Sequence, residues 1–136
     1  MRYPLIILIS YLIVSIPSYY CYGESNKVTV YELQERCGKT AKQWSKEHNE
    51  VLDYRAHYNN KLNKCVVLAN LAPIKGDNVS TTYAMIYDVN ENHIIGQYTV
   101  RHYSKSEDRI CIINGKNYGE DPKDKWSKFV KDMMEE

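Results

Sequence analysis

The sequence is short of several things at once, and each shortage closes off a class of function. A single phenylalanine and two tryptophans stand among 136 residues. Four histidines, His48, His57, His93 and His102, form neither a His-Glu-x-x-His pair nor a Cys/His zinc spacing, so no metal centre is expected. No glycine stands five residues before the glycine of Gly38-Lys39-Thr40. Leu33 occupies that place, and without it the backbone cannot curl around phosphates, so this is no nucleotide-gripping loop. Neither an internal repeat nor a low-complexity block is visible. The longest apolar stretch, Leu5 to Ile16, interrupted only by Ser10 and Ser15, has twelve residues, against about 20 needed to cross a hydrocarbon core.

That run lies in MRYPLIILISYLIVSIPSYYCYGES, with one positive charge at Arg2 before it and Pro17 after it, which is the pattern of a cleaved export signal. Cys21 and Gly23, three and one before a cut, suit cleavage after Gly23, and a cut after Ser18 is the rival. Cys21 as a lipid-modified N-terminus would need small residues before it, where Tyr19 and Tyr20 stand. The expectation is a signal peptide over residues 1–23 and a single exported domain over 24–136, periplasmic or extracellular, with no stable membrane insertion after cleavage. Cleavage removes only Arg2 from the 18 basic residues, so the 17 that remain balance the 17 acidic ones. With no basic excess there is no counterion-release drive towards nucleic acid.

Thr29-Val30-Tyr31-Glu32 has the form of a capping box, and Val30, Leu33, Cys37, Ala41 and Trp44 follow at helical intervals, which predicts a helix over 30–48. Asp121 as N-cap, Pro122 at the first helical position and the stripe Trp126, Phe129, Val130, Met133 predict a second over 122–134. Between them the period is two. A four-residue loop at 90–93 pairs Val89 with Ile94, Tyr87 with Gly96, Met85 with Tyr98 and Tyr83 with Val100 on one apolar face. A loop at 59–62 pairs Tyr54 with Val67 and Ala56 with Cys65, leaving Asp53, Arg55 and His57 outside. A short strand at 109–113 follows. The expected fold is α+β: an N-terminal helix, an antiparallel four- or five-stranded meander and a C-terminal helix, both helices on the one dry face of the sheet.

In that register Cys65 points towards the buried stripe that carries Cys37. In an oxidising compartment two thiols facing one another across a small core are expected to be bridged. The 27 residues between them make a loop whose closure is worth roughly 3 to 4 kcal/mol in the chain-entropy model. Cys111 is then an unpaired buried thiol, an intermolecular partner, or the mate of Cys21 if that residue survives processing.

The segments YELQERCGKTAKQW, HYNNKLNKC, IYDVNEN and DKWSKFVKDMMEE, spread over residues 31–135, resemble a loose group of small exported bacterial proteins of unknown function. The group is similar in a Leu-Gln-Glu-x-Cys-Gly-Lys start, a His-Tyr-Asn-x-Lys-Leu-Asn-Lys-Cys hairpin, a Tyr-Asp-Val-Asn-Glu-Asn turn and a closing helix containing Trp. It often has a second cysteine where Tyr118 stands here, so the resemblance implies one lost bridge and an unpaired Cys111. It carries no activity, ligand or catalytic residue to transfer.

Other constellations are weak. His57 and Cys65 point to opposite faces in the expected register, so they make no nucleophile pair. Asp53 and Asp88 lack the cleft that a pair of acid–base carboxylates needs. Arg55, His57, Lys64, Arg101 and Tyr103 fall together on the outer sheet face, and Arg, His and Tyr on an exposed sheet suit an interaction surface. No catalytic residue, metal or cofactor is assigned. The reading is a small, disulfide-stabilised, non-catalytic binding or interaction module for an unknown protein or small ligand. The alternative is a secreted inhibitor, presenting a loop such as Pro73–Asn78, or a small secreted enzyme.

Overall fold

The computed structural model describes residues 28–135; the signal-peptide expectation and Cys21 lie outside them. Helix α1 (Val30–Glu47) is followed by strands β1 (Val51–Asn59), β2 (Lys64–Lys75), β3 (Val79–Asp88), β4 (His93–Tyr103), β5 (Glu107–Ile113) and β6 (Lys116–Asn117), then helix α2 (Pro122–Met134). The strands form one antiparallel meander in chain order. The sixth is a two-residue strand joined through Asn114 and Gly115, both at positive φ, and it lies beyond the last strand expected at 109–113.

The start of α1 is built as its sequence dictates. Thr29 accepts from the Glu32 N–H at 3.2 Å and the Glu32 carboxylate accepts from the Thr29 N–H at 2.7 Å, so two otherwise orphaned donors are satisfied. Its stripe then buries Cys37, Ala41 and Trp44. Asp121 does stand at the N-cap of α2, but in a left-handed conformation (φ 47°) with no side-chain capping bond, so Pro122 and the buried stripe carry that helix start.

The helices do not share a face. Ala41 and Trp44 of α1 pack on Val67, Ala69 and Tyr87, with Tyr54, Ala56 and Met85 alongside. Trp126 and Met133 of α2 pack with Val66, Ile86 and Cys111, with Leu68, Ala84 and Tyr98 alongside. Successive residues of a strand point to opposite faces, so Val66 and Val67 lie under different helices. The sheet is therefore sandwiched between α1 and α2, which corrects the expectation of both helices on one side. The run Cys65-Val66-Val67-Leu68-Ala69 is apolar without interruption because it is covered twice.

The strand registers account for the second dry face. Both hairpin tips are four-residue loops, at 60–63 and 89–92, each displaced by one residue from the expected place, so Asn59 pairs with Lys64 and Asp88 with His93. Such a displacement preserves sidedness, and Tyr54, Ala56 and Cys65 still face α1. In β4 a bulge at Ile95 inserts one residue, so Ile86 pairs with Gly96 and Ala84 with Tyr98. That single insertion turns Gly96 and Tyr98 away from Tyr87 and Met85 and towards α2.

Gly96 is needed there. A Cβ at this position would stand 2.4 Å from Phe129 Cε1 and 3.2 Å from Trp126 Cζ3. The close approach lets Trp126 stack on Tyr98 at 5.8 Å and lie against Phe129. Burying an aromatic ring of Trp126's kind withdraws 150–250 Å², roughly 4 to 6 kcal/mol at about 25 cal/mol per Å². Gly96→Ala is expected to push Phe129 off its seat and cost about 1 to 3 kcal/mol. The denaturant midpoint should fall with an unchanged slope, and an unaltered midpoint would mean that α2 is not held at this distance.

Candidate functional site

Cys37 and Cys65 are joined, with Cα atoms 5.3 Å apart, and Tyr58 packs against the bridge. Cys111 is a free thiol, wholly buried under α2, and burial pushes its pKa up, away from the thiolate a nucleophile requires.

The polar chemistry gathers at one end of the sheet, where the β1–β2 and β3–β4 tips lie side by side. The two tips carry one turn motif twice. In Tyr58-Asn59-Asn60-Lys61-Leu62-Asn63, the Tyr58 hydroxyl donates to Asn63 Oδ1, Asn63 takes a left-handed conformation (φ 53°), and Asn59 Oδ1 accepts from the Leu62 N–H at 3.0 Å. In Tyr87-Asp88-Val89-Asn90-Glu91-Asn92, the Tyr87 hydroxyl donates to Asn92 Oδ1, Asn92 is again left-handed (φ 55°), and Asp88 Oδ1 accepts from the N–H groups of Asn90 and Glu91 at 3.0 and 3.1 Å. Asparagine tolerates positive φ, and a short side-chain acceptor at the strand end closes the turn. This Tyr-(Asn/Asp)-x-x-x-Asn repeat is a local duplication that inspection for longer repeats passes over. Comparing YNNKLNK with YDVNENH would have found it.

The buried second residue of each motif reaches outward. Asn59 donates through Nδ2 to the carbonyls of Asp132 and Met133, at 3.1 and 3.3 Å, and so caps the end of α2. Asp88 Oδ2 accepts from Lys64 Nζ at 2.6 Å, and Lys64 also meets Glu91 Oε2 at 2.8 Å. His93 Nδ1 lies 3.7 Å from the same Glu91 oxygen. Burial alone would raise the Asp88 pKa, but the Lys64 ammonium and the Glu91 and Asn90 N–H groups outweigh it and hold the carboxyl below its ordinary range. The bonds to Asp88 and Glu91 in turn push Lys64 upward.

Between these tips, the β5–β6 turn and the last turns of α2 opens a cleft of about 270 Å³. Ile95, Phe129, Met133 and Leu62 give it apolar walls; Lys64, Glu91, His93 and Asn114 give it polar ones. Among the described residues, Asp88, Glu91 and His93 offer ligand atoms within 4.8 Å of one another, close enough to share a cation. Lys64 Nζ already bonds both carboxylates, so the cation in this arrangement is the lysine.

Of the five residues expected to share an interaction surface, Lys64 lines the cleft, and Arg55 and His57 lie on the α2 side of edge strand β1. Arg101 and Tyr103 alternate with Tyr98 and so stand on the α1 side at the far end of β4, Arg101 being 3.9 Å from Asp108. They are separated from Lys64 by the length of a strand, roughly 30 Å. The bulge in β4 is again what divides the expected patch.

No protein-family model, curated protein or solved structure matches the chain at a significant level.

The Asp88 geometry fixes a pH dependence. A carboxylate whose folded pKa is depressed stabilises the fold above its unfolded value, near 3.9, and that contribution is lost as pH falls through the folded value. Asp88→Asn is expected to cost about 1 to 3 kcal/mol at neutral pH, where the bond to Lys64 is charge-assisted. The difference from wild type should shrink as pH falls below about 4. Chemical denaturation at several pH values measures it, and a difference that does not change with pH would refute the assignment.

Proposed function

We propose that the chain is an exported, disulfide-stabilised, non-catalytic binding protein, whose site is the cleft between the two hairpin tips and the end of α2. One observation carries this reading. Lys64 on the cleft wall and the buried Asp88 that it bonds are tuned apart, with Asp88 held down and Lys64 pushed up, so this pair stays charged through the physiological range. General acid–base work calls for the reverse, a group poised near the working pH. Apolar walls beside fixed, mutually satisfied charges suit recognition of a small ligand, or of a single side chain of a partner protein, carrying an apolar body and a polar end.

The inhibitor alternative loses support from the shape of its loop. Pro73, Ile74 and Lys75 belong to β2, and only Gly76-Asp77-Asn78 turn the chain, closed by a Gly76 N–H to Val79 carbonyl bond of 2.8 Å. A three-residue turn offers little reach into an enzyme cleft.

Two measurements test the proposal. For export, intact mass of the protein from the native compartment is expected to give a chain beginning at Glu24 whose Cys37 and Cys65 take up no alkylating reagent without reductant. Retention of Met1 would defeat it. For the site, Leu62 is half exposed and lines the cleft, so Leu62→Glu should leave the melting temperature within a few degrees of wild type. It should also abolish recovery of whatever low-mass ligand or partner the wild-type protein retains. Equal recovery by both proteins would move the site elsewhere.

A further inference from the structure

Among the described residues, strand β1 forms one edge of the sheet, with no neighbouring strand on its outer side. An open edge of nine residues is a template for pairing with another chain. Here half of it is closed by a single side chain. The Tyr58 N–H donates to Gln34 Oε1 at 2.7 Å, and Gln34 Nε2 donates to the Ala56 carbonyl at 3.4 Å. The side-chain amide of Gln34 thus offers β1 the donor and acceptor that a neighbouring strand would offer. It is held in place from three residues away, on the same side of α1, by the Cys37–Cys65 bond.

These two bonds also report the orientation of the edge. Ala56 and Tyr58 turn their backbone groups away from β2, so by antiparallel alternation the N–H and carbonyl of Tyr54 turn outward too. A second β1, running antiparallel and centred on Tyr54, would set Asp53 opposite Arg55 of the other copy and Arg55 opposite its Asp53. Both side chains are exposed. Residues facing one another at such non-hydrogen-bonded positions lie closest, and opposite charges there favour the pairing. Leu52, 68% exposed in the same stretch, would be covered. While α1 lies against the strand, Gln34 occupies the place of the incoming backbone, and the edge is shut.

We propose that the outer edge of β1 is a latent strand-addition site for a second copy of this chain, closed by Gln34 and opened by reduction of the Cys37–Cys65 bond. The reductant is a dithiol of the kind found in disulfide-exchanging proteins. One of its thiolates attacks a bridge sulfur and forms a mixed disulfide, and its second thiolate displaces the protein sulfur. The dithiol leaves as a disulfide, and two electrons and two protons end on Cys37 and Cys65. A cavity lined by Leu33, Arg36, Cys37, Thr40, Tyr58 and Cys65 gives the attacking group its approach. Freed of the bond, the first turns of α1 no longer hold Gln34 on Ala56 and Tyr58. This inference is independent of the tip cleft.

Sedimentation and light scattering of the mature protein test it, with dithiothreitol as the dithiol. The oxidised protein is expected to be monomeric and the reduced protein dimeric, with circular dichroism showing retained sheet. Should reduction unfold the chain, Gln34→Ala decides the matter, since it keeps the disulfide and is expected to dimerise while oxidised. Asp53→Arg should weaken that dimer at least tenfold by opposing two arginines, and Asp53→Arg with Arg55→Asp should restore it. A monomeric Gln34→Ala protein, or a dimer indifferent to Asp53→Arg, overturns the proposal.

Discussion

Cys37 and Cys65 are 3% and 2% exposed, and the bond between them decides which face of the sheet α1 covers. Once that point is fixed, helical geometry places the rest. Three residues earlier on the same side, Gln34 reaches over the edge of β1 and satisfies two of its outward backbone groups. Two turns later, Trp44 lies over Val67, Ala69 and Tyr87, and His48 stacks on Trp44 at 4.3 Å with its Nδ1 2.8 Å from the Trp44 carbonyl. In proteins most of a helix's stability comes from packing its apolar face, so the order of this 18-residue helix derives from the covalent anchor and the buried stripe together.

The opposite face depends on a different device. Nothing covalent holds α2; it stays because Gly96 has no side chain and Asn59 binds its last carbonyls. The first contact sits under the middle of the helix and the second at its C-terminal end, so the axis is pinned at two points across the strands. The closed sheet interior follows from having both helices, because adjacent residues near the tips, Val66 and Val67 of β2 and Ile86 and Tyr87 of β3, are buried on opposite faces, and both strands carry charges only at their ends. The polar site therefore lies at the hairpin tips, where α2 ends and the strands turn.

Much of this was legible in the chain. The capping box of α1, the bounds of α2, the antiparallel meander and the Cys37–Cys65 bond all follow from periodicities that survive a displaced loop, since moving a four-residue loop by one preserves which side each residue faces. The position of α2 was not legible, for two physical reasons. A β-bulge leaves no mark in composition, and Ile94-Ile95-Gly96 reads equally well with or without an extra residue. In the expected register Ala84 and Ile86 also share their face with the polar Thr82, Asp88, Gln97 and Thr99 and so suggest a mostly wet surface, although an apolar run such as 65–69 is the signature of a strand buried on both sides. The site was harder still. Its motif spans six residues, and its two copies share only the tyrosine and the last asparagine.

The differences between those copies are chemically instructive. The tips need the same local acceptor, because each turn has backbone N–H groups to satisfy, and the first oxygen of Asn59 or Asp88 serves equally well. The second polar atom is free to differ. At the first tip it faces the C-terminal carbonyls of α2, which can only accept, so it has to be a donor, and an amide nitrogen supplies one where a carboxylate could not. At the second tip it faces the Lys64 ammonium, which can only donate, so it has to be an acceptor, and a carboxylate there also neutralises the charge. Exchanging Asn59 and Asp88 would set an anion against helix carbonyls and leave a cation beside an amide. One turn geometry thus does two tasks, one fastening α2 and the other fixing the charges of the cleft, and the single-atom difference between the residues assigns each task to its tip.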